Sequence, residues 1–456
     1  IFLQQYGINM NLAVKIYNKY GGEIYSVLKE NPYRMADDID GVGFKTADEI
    51  AARVGIKTDS DFRIKSGIQY VLQQAAMDGH TYLPMEELTR RAVYLLGVES
   101  SQVEAHYMNL AMDRKIVMQL KDDITQIYAN TFYYMEANTA AMLKQLDVTY
   151  DVPDIEIEAA IRNIEKKTEM ELDEHQAEAV KEAVRNGLLV ITGGPGTGKT
   201  TLVKAIVYAA EQCGLKVKLM APTGRAAKRL SSSSGREAET IHKALEAELH
   251  ENGEAYFNKN QSDTLSEDII IVDEASMMDV VLFHSLLSAL KEGTHLILVG
   301  DVDQLPPVGP GNPLKAIIES EMAPVVRLNH IFRQEEGSGI IENAVLIREV
   351  KYCCPDENGD FQILYTDSED DAFHKIMTLC WHFHYADEDN KLKMQVLSPM
   401  YKGACGVDHL NASIQKVVQG SDHLPFPFAV GDKVMQRRND YEKKVYNGDV
   451  GIVWAV

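Results

Sequence analysis

Cysteine is scarce. There are 5 in 456 residues, an odd number, and none stands at a metal-ligand spacing. Adjacent Cys353 and Cys354 cannot easily bridge each other. All five, with Cys213, Cys380 and Cys405, read as reduced thiols of a cytoplasmic protein. No apolar run approaches the roughly 18 residues that a membrane span needs, and no signal peptide opens the sequence. Positive charge is also short: 46 Lys and Arg face 68 Asp and Glu, a net charge of −22. That balance argues against a protein whose whole surface binds a polyanion. It leaves room for a strand held in a local cationic groove on an acidic body. A starting Met is missing, and Ile1-Phe2-Leu3-Gln4-Gln5-Tyr6-Gly7 looks like the middle of a helix, so a fragment is expected. What remains, 45% hydrophobic and 25% charged residues, is the composition of soluble globular protein, long enough for two to four domains.

One stretch fixes a chemistry almost by itself: Gly193-Gly194-Pro195-Gly196-Thr197-Gly198-Lys199-Thr200. Leu188 to Thr192 precedes it as a buried parallel strand would, and Thr201 to Val207 follows as the first turns of a helix. In that context GxxxxGK[ST] is a phosphate site. The glycines let consecutive backbone N–H groups turn inward at the positive end of a helix. Lys199 then reaches the β- and γ-phosphates, and the Thr200 hydroxyl can ligate Mg²⁺. Ile269-Ile270-Ile271-Val272 delivers Asp273 and Glu274 to the same sheet edge. Asp273 is the expected Mg²⁺ partner, and Glu274 is placed to orient and deprotonate the attacking water. Leu298-Val299-Gly300 leads into Asp301-Val302-Asp303-Gln304-Leu305-Pro306-Pro307, where Gln304 can hydrogen-bond a γ-phosphate or the water.

From Leu172 onward, strands alternate with helices, which implies a parallel sheet with right-handed crossovers. The strands are expected at 188–192, 217–221, 269–272, 296–299 and 325–328, with a hairpin insertion over 247–267. Upstream, residues 7–56 are short helices broken by glycine turns. Ile39-Asp40-Gly41-Val42-Gly43-Phe44-Lys45 resembles a helix–hairpin–helix, with Gly7 to Leu28 as a degenerate first copy. Such turns offer backbone N–H groups to a DNA phosphate without reading sequence; a plain helical hairpin packing on its neighbour is the alternative. Residues 60–130 read as three helices (the third over 99–114) and a hairpin of 116–120 with 124–128, the winged-helix order. The third helix carries almost no positive charge, so a structural or protein-contact role is open. Thr131 to Leu146 is expected to be helical, 147–171 an acidic linker with a short helix, and Ser231 to Ser234 a loop.

The ordered set of Leu172-Asp173-Glu174-His175-Gln176, Gly193–Thr201, Ala221-Pro222-Thr223-Gly224-Arg225, Thr240-Ile241-His242, Asp273-Glu274-Ala275-Ser276-Met277, Gly300–Pro307 and Leu328-Asn329-His330-Ile331-Phe332-Arg333-Gln334 resembles superfamily 1 DNA helicases of the RecD/TraA group. The hairpin-rich N-terminal region looks like the long, stand-alone RecD-like type. The resemblance implies that Gln176 reads the adenine, that Gly194, Pro195, Gly196, Thr197, Gly198, Lys199, Thr200 and Thr201 hold the nucleotide, and that Arg333 reaches the γ-phosphate. It implies that Thr223, Gly224 and Arg225 touch a single-stranded DNA backbone, that His242 lies near the same strand, and that the 247–267 insertion is a pin that splits duplex. Movement 5′→3′, a place in DNA repair or recombination, and action on single strands and single/double-strand junctions come from the resemblance alone; it also makes ATP the nucleotide that the site takes with Mg²⁺.

The expected fold is multidomain α/β, with P-loop RecA-like sheet domains preceded by helix–hairpin–helix and winged-helix-like domains. The divisions are 1–57, 58–146, a linker over 147–171, a first RecA-like domain over 172–335, and the start of a second over 336–456. In the last part Met394 to Met400 reads as a strand into a turn, and the stretches around Gly431-Asp432 and Gly448-Asp449 as the lead-in to a small β-barrel. The later helicase motifs have no match, so the fragment is expected to bind nucleotide but turn it over weakly. The reading is an ATP-driven DNA helicase; the alternative is a DNA-binding P-loop ATPase that clamps or remodels junctions without unwinding. Protein partners are not readable.

Overall fold

The computed structural model describes residues 8, 10–39, 41–168, 172–194, 196–249, 255–328, 338–356, 359–386, 393–420, 427–440, 443 and 445–456. By contact the chain divides into one unit of residues 1–222 and 230–330 and a second of 223–229 and 331–456.

The first unit opens with helices α1 (Met10–Tyr20), α2 (Ile24–Glu30), α3 (Arg34–Asp38) and α4 (Phe44–Val54). Next come α5 (Asp61–Met77), β1 (Tyr82–Pro84), α6 (Met85–Leu96), α7 (Ser100–Glu104), α8 (Tyr107–Met112), β2 (Ile116–Lys121) and β3 (Ile124–Ala129). The expected hairpin forms, turning through Asp122 and Asp123 at φ 51° and 61°. That left-handed pair matches the twist of the strands it joins. β1 adds a third strand against β3, too short to show in the sequence pattern. The expected third helix is two helices, with the break at Ala105 and His106. There the His106 ring is buried and turned toward Asp61, Nε2 to Oδ1 3.5 Å.

Hairpins and winged region share one core rather than forming two domains that part at residue 57. Ile16, Leu28, Met35 and Phe44 pack in the same cluster as Ile68, Leu88, Leu110 and Ile127. Arg63 locks the junction. Its guanidinium donates to both Asp48 carboxylate oxygens, at 2.8 and 3.1 Å, and to the carbonyls of Thr58 and Leu96. A planar fork with several donors suits such a multi-partner position.

α9 (Asn130–Leu146) starts on the winged sheet, with the Tyr133 ring 5.4 Å from that of Tyr128. It ends with Leu143 and Leu146 inside the next core. α10 (Asp154–Thr168), expected within a linker, buries Ile157, Ala160 and Ile161 in that domain's other layer.

The second layered body holds α11 (Glu174–Arg185), β4 (Leu188–Gly193), α12 (Lys199–Gln212), β5 (Val217–Ala221), α13 (Gly224–Ser234), β6 (Ala238–Thr240), α14 (Ile241–Ala244), β7 (Ala247–Leu249), β8 (Ala255–Phe257), β9 (Ile269–Val272), α15 (Val280–Ser288), β10 (His295–Gly300), α16 (Pro313–Glu319) and β11 (Val325–Leu328). Six strands form a sheet in the order β11-β4-β10-β9-β5-β6, and every neighbouring pair is parallel. Period-two alternation sends Leu189, Ile191, Ile269, Ile271, Ile297 and Val299 to the core under α10, α11 and α12. The intervening Leu188, Val190, Ile270, Val272, Leu296 and Leu298 go to the core under α9, α15 and α16. Both faces are buried, as parallel sheets require. The five expected strands are present, and β6 is an edge strand that three residues did not announce. β7 and β8 pair as the expected insertion hairpin; its tip, 250–254, lies outside the described residues. Ser231 to Ser234 continue α13 instead of forming a loop, and Ser231 Oγ accepts from Ala238 N–H at 2.8 Å.

The second unit contains α17 (Gly339–Arg348), α18 (Glu369–Ala386), α19 (Val407–Gln419) and an antiparallel ribbon of β12 (Lys433–Met435) and β13 (Val450–Ile452). Asp432 is 7% exposed, and its carboxylate accepts from Gln419 Nε2, Gln415 Nε2 and Ala429 N–H, which fixes the ribbon to α19. Residues 394–400 do not form the expected strand, since they have no strand partner among the described residues.

Candidate nucleotide site

β4, β10 and β9 are neighbours in the sheet, so their C-terminal tips emerge side by side. From β4 the chain enters the glycine loop. Gly193 is required by packing: a Cβ there would stand 2.7 Å from Thr197 Oγ1 and 2.8 Å from the Leu328 carbonyl oxygen. Thr197 is 3% exposed, and its hydroxyl donates to Gly194 O at 2.9 Å, closing the loop on itself. Gly196 and Gly198 sit at φ 82° and 81°, the left-handed region that side chains resist. Gly198 is the N-cap of α12 and supplies no side-chain cap, so the loop runs straight into the positive end of that helix. The Lys199 ammonium donates to the carbonyls of Gly193 and Gly194 at 2.5 and 2.9 Å, which holds it at the loop. Thr200 and Thr201 follow in the first turn. Pro195 lies outside the described residues.

β9 is wholly buried and ends at Asp273, whose Oδ1 accepts from Glu274 N–H at 2.9 Å. Glu274 itself takes φ 54°, an uncommon conformation for a non-glycine residue, and initiates a short 3₁₀ turn over Ala275–Met277. β10 ends at Gly300, which passes so close to that turn that a Cβ would meet Ser276 N at 3.1 Å and Leu314 Cδ2 at 3.0 Å. Beyond it Asp301, 5% exposed, accepts from Asp303 N–H with Oδ1 and from Gln304 N–H with its carbonyl. Gln304 is thereby presented on an exposed tip. Thr192, read from sequence only as the end of an apolar strand, is 3% exposed, and its hydroxyl accepts from Val302 N–H at 3.3 Å. A hydroxyl in an otherwise aliphatic strand was the signal.

Gln176 is buried on α11. Asp173 Oδ1 accepts from its N–H, and its own Oε1 accepts from Asp173 N–H, a reciprocal capping box. The segment after the loop that follows Gln304 is tied to the N-terminal region: Gly311 N–H donates to Gly79 O at 3.0 Å.

The other expected residues do not follow β4, β9 or β10. Gly41, at φ 87°, and Gly43, the exposed N-cap of α4, flank buried Val42 in the hairpin turn. Thr223 Oγ1 accepts from Ala226 N–H at 3.2 Å and caps α13; Gly224 lies against the Tyr446 ring, and Arg225 is exposed, all within the second unit. His242 stands on α14 beside Phe257, ring centroids 5.8 Å apart. Desolvation lowers its pKa while Asp279 opposes the shift, which leaves a neutral imidazole at pH 7. Arg333 lies outside the described residues.

Known proteins decide the family. The AAA domain profile matches residues 176–310, that of the RecD2 DNA helicase helix–hairpin–helix domain matches 1–82, and that of the RecD-like DNA helicase SH3 domain matches 410–456. The ATP-dependent RecD2 DNA helicase of Deinococcus radiodurans is 32% identical over 99% of this chain, and the alignment covers 63% of that protein. The chain belongs to the RecD-like helicase family. RecBCD enzyme subunit RecD of Mycolicibacterium smegmatis is 30% identical over 62% of this chain and 57% of its own length. The RecD subunit of Mycobacterium tuberculosis is 27% identical over 99% of this chain and 80% of its own length. The RecD-like SH3 match falls on the segment where a small β-barrel was expected, and contains the β12–β13 ribbon. Among the described residues no helix is long and apolar enough to cross a membrane.

Proposed function

We propose that this chain carries the motor of an ATP-dependent DNA helicase that moves 5′→3′ on single-stranded DNA and unwinds duplex, in repair or recombination. The observation that carries the reading is the sheet edge at which the glycine loop, the Asp273–Glu274 turn and the Gln304 tip emerge from adjacent strands. The loop fits a triphosphate, with Gly193 where a Cβ would collide, Gly196 and Gly198 in left-handed turns, and a helix N-terminus without a side-chain cap. The Thr200 hydroxyl and Asp273 carboxylate are hard oxygen donors and suit Mg²⁺, which when bound neutralises phosphate charge.

In this reading residues 194–201 wrap the phosphates, with Lys199 leaving the loop carbonyls for the β- and γ-phosphates. Glu274 accepts the proton of the attacking water, and Gln304 meets the γ-phosphate. Arg333 adds positive charge as phosphate oxygens gain negative charge. The Gln176 amide, its oxygen already used in the capping box, meets the adenine with its N–H₂. Thr223, Gly224, Arg225 and His242 contact the single strand, the 247–267 hairpin parts the duplex, and the Gly41–Gly43 turn holds a phosphate upstream. The domain scheme keeps its expected order, with 1–146 as one body. Strand displacement on a 5′-tailed duplex, measured with the intact gene product, tests the reading: displacement that requires ATP supports it. ATP turnover without displacement replaces it with a junction-remodelling ATPase.

A further inference from the structure

The turn that presents Gln304 is not held to the phosphate loop by the sheet alone. Thr192 and Gly300 pair across β4 and β10 as the last register step, so sheet hydrogen bonding ends just where the two tips begin. The next link is a side chain: Thr192 Oγ1 accepts from Val302 N–H at 3.3 Å. Thr192 is one residue before Gly193, and Val302 is two before Gln304. The far side of the same turn is closed by Asp301, through Asp303 N–H and Gln304 N–H. A Cβ on Gly300 would collide with the Ser276 amide, so the base of the turn also rests on the segment that follows Glu274. Among the described residues the turn therefore has one polar tether to the glycine-loop strand, and that tether is a buried hydroxyl.

We propose that Thr192 is a positioning residue that fixes Gln304 relative to Lys199 and so lets the site distinguish a triphosphate from a diphosphate. The inference rests on the nucleotide reading above and deepens it. Lys199 and the loop amides meet phosphates that ATP and ADP share, whereas Gln304 meets the γ-phosphate that only ATP has. Loosening the tether lets the tip drift from the γ-position while the loop keeps its shape. A part-buried N–H that loses this acceptor turns toward another one, and the turn moves with it.

Thr192→Val keeps the side-chain volume and deletes the acceptor; Thr192→Ser keeps the acceptor and deletes the methyl. The experiment measures affinities of the full chain for fluorescent ATPγS and fluorescent ADP, each with Mg²⁺, alongside thermal melting. The expected result for Thr192→Val is a preference for ATPγS over ADP reduced about five- to tenfold, with ADP affinity within about twofold of the unaltered chain. Thr192→Ser restores the preference. Thr192→Ala replaces the Val variant if the latter does not fold. Equal weakening of both nucleotides, or an unchanged preference, makes Thr192 a structural residue only and overturns the assignment. Failure of the unaltered chain to bind either nucleotide instead removes the nucleotide reading, and this assignment with it.

Discussion

Gly193→Ala and Gly194→Ala differ by one position and separate packing from composition as the reason for a glycine-rich loop. At Gly193 an added Cβ stands 2.7 Å from Thr197 Oγ1, 2.8 Å from Leu328 O and 3.0 Å from Leu328 Cβ, whereas at Gly194 nothing lies within 4 Å. Two of the three clashes at Gly193 cannot yield cheaply. The Leu328 carbonyl and Cβ belong to β11, which is paired to β4 in the register Leu328↔Gly193. Thr197 can turn aside only by giving up its bond to Gly194 O in a site where it is 3% exposed. Overpacking of this kind costs about 1–3 kcal/mol. In a domain of this size each kcal/mol moves the melting midpoint by about 2–4 °C, so Gly193→Ala is expected to melt about 2–12 °C lower. Gly194→Ala is expected to change stability by no more than about 0.5 kcal/mol. Nucleotide affinity measured by calorimetry should fall at least about tenfold for Gly193→Ala, because the displaced Thr197 opens the loop that the helix N-terminus serves. Equal melting of the two variants would refute the steric argument.

Lys199→Ala should abolish nucleotide binding and turnover together, while Glu274→Gln should keep binding and lose about 10²–10⁴-fold in hydrolysis, read by phosphate release; normal turnover of Glu274→Gln removes its role as base. Arg225→Ala should weaken single-strand binding and reduce the salt slope by about 0.7 in a titration against ionic strength; an unchanged affinity returns Arg225 to a solvated helix surface. His284 and His295 are both held below the usual histidine range by desolvation. The unfolded chain therefore takes up protons first as pH falls below about 6.5, and stability, full above that value, declines as the pH drops toward 5.5. The decline in melting midpoint between pH 7.5 and 5.5 should be smaller in His295→Gln, and an equal decline would place the titration elsewhere.

The placement of the glycine loop and of Asp273-Glu274 at one sheet edge was legible because its signals are local. A glycine loop between an apolar run and a helix, and an aliphatic strand ending in Asp273-Glu274, each carry their own meaning in a few residues. The strands of the sheet were equally plain, since both faces are buried and the runs are continuous. Three-residue strands such as β1 and β6 left no pattern, because their pairing is decided by neighbours far along the chain. Ser231 to Ser234 looked like a loop on propensity, but Leu230 is buried beneath the helix and Ser231 bonds the β6 backbone, so packing overrode it. The boundary expected at residue 57 failed for a similar reason. Arg63 carries no signal of its own in the sequence, and only the fold shows four acceptors converging on it from both sides of that boundary. The tether at Thr192 was hidden by its position at the end of an apolar run.

α9 has 17 residues, which makes it a rod of about 25 Å. One end is gripped by the winged sheet through Tyr133 and the other by the parallel-sheet core through Leu143 and Leu146. The bond from Gly311 to Gly79 grips the same pair of bodies at a second point. A single linker leaves two bodies free to swivel about it, and a rod with a separate cross-tie does not. The hairpin turn at Gly41 is therefore carried in the reference frame of the phosphate loop, like the jaw and handle of one forged tool. Gly41 and Gly193 thus keep a set separation, held at two points rather than one.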